Sequence, residues 1–190
     1  MEKIICLDSG HGWDTIGKQS PDFDKDGFAD LKENEFNDAI VNKLAYALYK
    51  ANIPYIIVSP DWRDTPLSIR TKTAINAAKG KQGIYISIHA DAFTSSQANG
   101  TTIFKFIGAK HKLAELFHKH IAGLTRTDRK IKEANFQVLR DTNGKMDSIL
   151  IEFAFMTNPD DLILLKSDKV RNEYVDKLLN ACKEWYETTS

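Results

Sequence analysis

At 190 residues with 42% hydrophobic content, the chain is long enough for one sizeable core and short for two. Lys+Arg 26 balance Asp+Glu 26, so no global field draws the protein to nucleic acid or to an anionic membrane. Cys6 and Cys182 have no paired spacing, which argues against a disulfide framework, and the apolar run at 1–8 is too short for a signal peptide or a membrane span.

Residues 3–7 predict a first buried strand, broken by Asp8-Ser9-Gly10-His11-Gly12, in which two glycines flank a histidine. From 13 to 32 there is no sustained period, and Gly17, Pro21 and Gly27 mark a long loop of the kind that carries function in compact domains. A helix is predicted over 35–50 from the spacing of Phe36, Ile40, Val41, Leu44, Ala47 and Leu48. A second strand follows at 55–58. Pro66 opens a helix to about residue 79, with Leu67, Ile69, Ala74 and Ile75 expected toward the core.

The run Gly83-Ile84-Tyr85-Ile86-Ser87-Ile88-His89-Ala90-Asp91 predicts a buried strand with His89 at its carboxyl end, where open α/β sheets place their ligand crevices. Residues 100–107 predict another strand, and 110–124 an amphipathic helix through Leu113, Leu116, Phe117 and Ile121. His111, His118 and His120 on or near that helix are read as surface or boundary residues. The basic segment 125–132 reads as a solvated loop, 136–140 as a short strand and 148–155 as a stronger one. Asn158 caps a helix that begins at Pro159, and a final amphipathic helix spans about 169–186. Strands interleaved with helices predict a single α/β domain over 1–190, with a twisted, mostly parallel (mixed) sheet of about six strands between helical layers.

Three groups in separate places suit a catalytic zinc site: His11, His89 and a carboxylate in the loop before the first helix. Glu152 is anomalous because it interrupts an apolar strand, where an ionised carboxylate is costly without compensation. An ion pair with Arg70 or Arg140 would explain it, and so would a place beside a metal. The segment from Asp22 to Glu33 also matches the calcium-loop pattern, with acids at Asp22, Asp24, Asp26 and Glu33 and a turn at Gly27. Gly17 and Pro21 deny that loop the entering helix an EF-hand needs.

Leu7-Asp8-Ser9-Gly10-His11-Gly12, Glu33 four before Asn37, Ser87-Ile88-His89-Ala90 and Ile151-Glu152-Phe153-Ala154-Phe155 resemble, in order, the signature segments of zinc-dependent N-acetylmuramoyl-L-alanine amidases of the type 3 catalytic domain. Arg70 and Asn76 also stand where that family's helix before the central strand carries an arginine and an asparagine. The resemblance implies that His11, Glu33 and His89 hold Zn2+, with Glu35 the rival for the loop ligand, and that Glu152 is the catalytic acid/base. It implies hydrolysis of the amide between N-acetylmuramic acid and L-alanine in peptidoglycan. The balanced charge leads to the expectation of no nucleic-acid or membrane partner, and a monomer is expected. Ser9 in place of a proline, Trp13 in place of a glycine and Asp91 in place of an asparagine depart from the pattern without touching a proposed ligand. Asp91 is read either as a partner that orients a histidine or as a turn cap.

Two other readings stand beside this one: a different zinc amide hydrolase of carboxypeptidase type, and a non-catalytic calcium- or wall-binding module built on the loop from Asp22 to Glu33. The sequence carries neither a recognisable export signal nor wall-binding repeats. The expectation is therefore a catalytic domain acting on the cell wall, released by lysis as a phage-type endolysin or cut from a secreted enzyme.

Overall fold

A computed structural model describes residues 2–188. Its strands are β1 (Lys3–Ser9), β2 (Tyr55–Ile57), β3 (Gln82–Asp91), β4 (Thr101–Phe106), β5 (Asp128–Ala134) and β6 (Asp147–Phe155). Its helices are α1 (Glu33–Lys50), α2 (Leu67–Ala77), α3 (Lys112–Ile121), α4 (Gln137–Thr142), α5 (Pro159–Lys166) and α6 (Asp168–Glu187). The strands form one sheet in the order β2-β1-β3-β6-β4-β5. Every neighbouring pair is parallel except β4 with β6, so the expected mixed, mostly parallel α/β sheet is what forms.

Alternation along the central strands divides their side chains between two cores. Ile5, Leu7, Ile84, Ile86, Ile88, Ile149, Ile151 and Phe153 face the larger core, with residues of α1, α3, α5 and α6. Cys6, Tyr85 and Leu150 face a smaller one with Ala74 of α2 and Val138 and Leu139 of α4. These short helices cover less of their face. Toward the carboxyl ends of the strands the same alternation continues with polar residues: Asp8 after Cys6, Ser87 and His89 after Tyr85, Glu152 after Leu150. Register aligns them, Asp8 beside Ser87 and His89 beside Glu152. A polar stretch crossing three adjacent strands therefore lies at the end of the sheet where parallel α/β folds bind ligands.

Three sequence expectations are corrected. Residues 136–140 form no strand: Phe136 is the N-cap of α4, and Thr142 Oγ1 donates to the Val138 carbonyl at 2.6 Å to close that single turn. A short apolar run cannot by itself separate strand from helix. The sixth strand is β5, drawn from the charged segment expected to be a loop. It is an edge strand in which Ile131 packs against the larger core, and its charges are what an unpaired edge tolerates. In α2, Leu67 and Ile69 are 42% and 48% exposed, whereas Arg70, Thr71 and Ala74 are buried. The inward side of this helix serves a polar network, which an apolar stripe cannot reveal.

The expected cap of α5 is present, with Asn158 Oδ1 accepting from Asp161 N at 3.0 Å and Pro159 opening the helix. Both cysteines are buried free thiols. His118 pairs with Asp128 and His120 with Glu184, in keeping with boundary roles.

Phe153 anchors the larger core through ring contacts with Phe36 and Tyr174 at 5.8 and 4.5 Å. Phe153→Ala should lower the unfolding free energy by about 3–5 kcal/mol in urea denaturation. A loss under about 1 kcal/mol would contradict this packing.

Candidate metal centre

The break after β1 places His11 in the left-handed backbone region, at φ 61°. The glycines beside it have separate tasks. A Cβ on Gly10 would lie 2.2 Å from His89 Cε1 and 2.4 Å from its Nδ1, so Gly10 is the space in which the second histidine sits. A Cβ on Gly12 would lie 2.1 Å from the Asp64 backbone nitrogen, so the loop after β2 closes directly over it.

Glu33 is the first residue of α1, where the exposed amides and the helix dipole favour a carboxylate. Its Oε1 is 2.9 Å from His89 Nδ1 and its Oε2 is 3.4 Å from His11 Nε2. The Ala90 amide at 3.3 Å and the Asn37 side-chain amide at 3.4 Å also donate to Oε1, and Lys18 Nζ stands 3.9 Å from Oε2. Glu35 lies outside this cluster and pairs with Arg171 at 3.3 Å. Burial opposes the Glu33 charge, but the hydrogen bond with His89 and the charges of His89 and Lys18 outweigh it and hold its pKa below the ordinary value.

One donor atom from each of His11, Glu33 and His89 lies within 4.8 Å of the others. The Glu33 side chain is 2% exposed, while those of His11 and His89 keep 19% and 14%, so the carboxylate forms the floor and the imidazoles the rim. Burial, with His89 and Lys18 nearby, brings the His11 pKa down to about 4 against the pull of Glu33, leaving a neutral imidazole with a free lone pair. Two imidazoles and one carboxylate, open to solvent on one side, are a donor set that fits catalytic zinc.

Glu152 sits one strand over, in register with His89 on β3 and with Thr102 on β4. Neither arginine considered for it is its partner: Arg70 binds Asp8 and Asp64, and Arg140 binds Asn135 and lies beside Asp141. Its Oε2 is buried without a hydrogen bond among the described residues. Burial, joined by the charges of Glu33 and Asp91 and opposed by His89, raises its pKa to about 8. Asp91 serves the turn, its Oδ1 accepting from the Ala92 amide at 2.8 Å and its carbonyl from the Met156 amide at 2.8 Å.

Asp22, Asp24 and Asp30 form a second acidic cluster, exposed at the first two and half-buried at Asp30. No helix leads into it, and its carboxylates already accept backbone amides, Gly27 N on Asp22 and Phe23 N on Asp30. Glu33, the last acid of the calcium pattern, is turned instead between the histidines.

The family model described as N-acetylmuramoyl-L-alanine amidase matches residues 5–184. The chain belongs to this family. Among curated relatives of the amidase chain, the probable cell wall amidase LytH of Staphylococcus saprophyticus is 28% identical over 179 residues, covering 94% of this chain and 56% of its own length. LytH of Staphylococcus aureus is 28% identical over 186 residues, with 97% and 58% covered. The chain thus spans a little over half the length of these relatives. A solved N-acetylmuramoyl-L-alanine amidase from Clostridium difficile 630 superposes with a TM-score of 0.86 at 25% identity, covering 100% of this chain and 99% of that one. The catalytic domain of CwlV from Bacillus (Paenibacillus) polymyxa var. colistinus gives 0.85 at 24% identity, with 100% of both chains covered, and shares the fold.

In the sequence of this amidase-family chain the three clustered donors stand out and Gly10 marks a sharp turn that frees His11, but nothing there sets Gly10 against His89 or gives a role to Lys18 or Ser87. Lys18 lies in the unpatterned loop, and nothing in its spacing marks it. Gly10→Ala should displace the His89 ring and lower bound zinc, measured by elemental analysis of the purified protein, to well below one equivalent while circular dichroism stays native. Full zinc occupancy in the variant would contradict the close approach described.

Proposed function

We propose that this chain is a zinc-dependent hydrolase of the amide joining the lactyl group of N-acetylmuramic acid to L-alanine in peptidoglycan. His11, Glu33 and His89 would hold the ion, and Glu152 would act as acid/base. The observation that carries this reading is a carboxylate whose Oε2 is buried without a hydrogen bond among the described residues, one strand from a cluster of two histidines and a glutamate. Family membership narrows the amide to the bond its members are named for.

Zinc bound there would supply Lewis acidity, stabilising charge on the scissile carbonyl and acidifying the attacking water. Glu152 takes a proton from that water as its oxygen bonds to the carbonyl carbon, and delivers the proton to the L-alanine nitrogen as the carbon–nitrogen bond breaks. A pKa raised by burial suits a group that must both accept and return a proton. Lys18 and the Ala90 and Asn37 amides hold Glu33 in place while it serves as a ligand. The products are a free lactyl carboxylate on the glycan and a peptide beginning with L-alanine.

Glu152→Gln should lower turnover on purified cell walls by about 10²–10⁴-fold while leaving bound zinc unchanged. The readout is release of L-alanine amino termini, with the cleaved bond assigned by mass spectrometry. Activity within about threefold of wild type at equal zinc content would refute the role given to Glu152. Cleavage within the peptide instead would favour a carboxypeptidase-type enzyme.

A further inference from the structure

A chain of buried hydrogen bonds runs beneath the cluster from α2 to His89. Arg70 Nη1 donates to Asp8 Oδ1 at 2.8 Å, Ser87 Oγ donates to Asp8 Oδ2 at 2.6 Å, and Ser87 Oγ is 3.1 Å from His89 Nε2. Arg70 also donates to the Ser9 carbonyl, to Thr65 O at 2.6 Å and to Asp64 Oδ1 at 2.7 Å, so its guanidinium is fixed on several sides. Asp8 and Arg70 are 1% exposed and Ser87 is 0% exposed, so water does not compete for these bonds.

The direction of each bond follows from which groups can donate. Arg70 has only donors, and Asp8, ionised beside it, has only acceptors. Ser87 must then spend its single hydroxyl hydrogen on Asp8, and what it offers His89 is a lone pair. His89 Nε2 must therefore carry hydrogen. The other ring nitrogen, Nδ1, points at Glu33 Oε1 and the donor cluster.

We propose that Ser87, Asp8 and Arg70 are positioning residues that fix the His89 ring with Nε2 as a donor, so that Nδ1 is the nitrogen presented to the metal. This rests on the reading of His89 as a zinc ligand. Histidine ligands of metals depend on the partner of their second nitrogen for tautomer and orientation, and losing it weakens metal binding about 10–100-fold. Here that partner is a serine, held in turn by a buried ion pair two elements away.

The test measures zinc affinity of the full chain by competition with a chromophoric chelator, zinc alone being the probe. Ser87→Ala should weaken zinc binding by about 10–100-fold with a native melting transition. Ser87→Thr and Ser87→Val add the same bulk and differ in the hydroxyl, so the threonine variant should bind zinc about tenfold or more tighter than the valine variant. The visible spectrum of the cobalt-substituted protein should shift in Ser87→Ala and Ser87→Val, which a role confined to stability would not produce. Zinc affinity within about twofold of wild type in Ser87→Ala, alongside its loss in His89→Ala, would overturn the positioning role alone. Unchanged affinity in His89→Ala would overturn the ligand assignment beneath it.

Discussion

Glu33 holds an ionised carboxylate at 2% exposure, and the rest of the site is arranged around making that burial tolerable. An isolated charge in such a place would be strongly destabilising. Four devices offset it: the first turn of α1, the Ala90 amide, the Asn37 amide and the two imidazoles. Each comes from a different consequence of the fold. β1 ends early enough for His11 to turn back at positive φ, β3 runs long enough to bring His89 alongside, and Gly10 leaves the space between them. The carboxylate and the histidines thus satisfy one another, and the same three donors form a set that a divalent ion would complete.

A second buried charge supports the first. Arg70 and Asp8 pair beneath the sheet's carboxyl end, and their network reaches His89 through Ser87. This explains why the smaller core stops where it does. Apolar packing of α2 and α4 against Cys6, Tyr85 and Leu150 gives way to Asp8, Ser87, His89 and Glu152 on the same face of the sheet. The transition from apolar to polar along a single face marks the boundary between scaffold and site. Glu152 lies on the polar side of that boundary, with its charge opposed by burial more than His89 restores it and its Oε2 without a hydrogen bond among the described residues.

Much of this was legible in the sequence because strong periodicity and abrupt breaks have direct physical causes. The buried central strands read as apolar runs, Asn158 and Pro159 announced a helix start, and Glu152 stood out as a charge where none should be free. What escaped was set by tertiary context. The β5 edge strand looks like a basic loop because its charges face solvent, and 136–140 reads as strand because five residues carry too little periodicity to show a helical turn. The inward side of α2 carries Arg70 and Thr71 beside Ala74, so Leu67 and Ile69, expected toward the core, face outward instead. Ser87 was visible as a letter in a motif. Its orientation toward His89 on one side and Asp8 on the other becomes visible only when β1 and β3 lie in register.

The acidic loop shows the same limit from the opposite side. Its calcium pattern is regular in sequence, yet the fold separates its parts, leaving three aspartates in a cluster at the surface of the loop, Asp30 half-buried, and moving Glu33 into the histidine site. The central claim is that the histidine and glutamate cluster, rather than the aspartate loop, carries a metal on which peptidoglycan amide cleavage depends. Its most direct test is to strip the protein with a strong chelator and add back zinc or calcium separately, following release of L-alanine amino termini from purified cell walls. The account predicts that zinc restores cleavage at about one equivalent per chain and calcium does not. Recovery with calcium alone, or undiminished activity in the stripped protein, would contradict it.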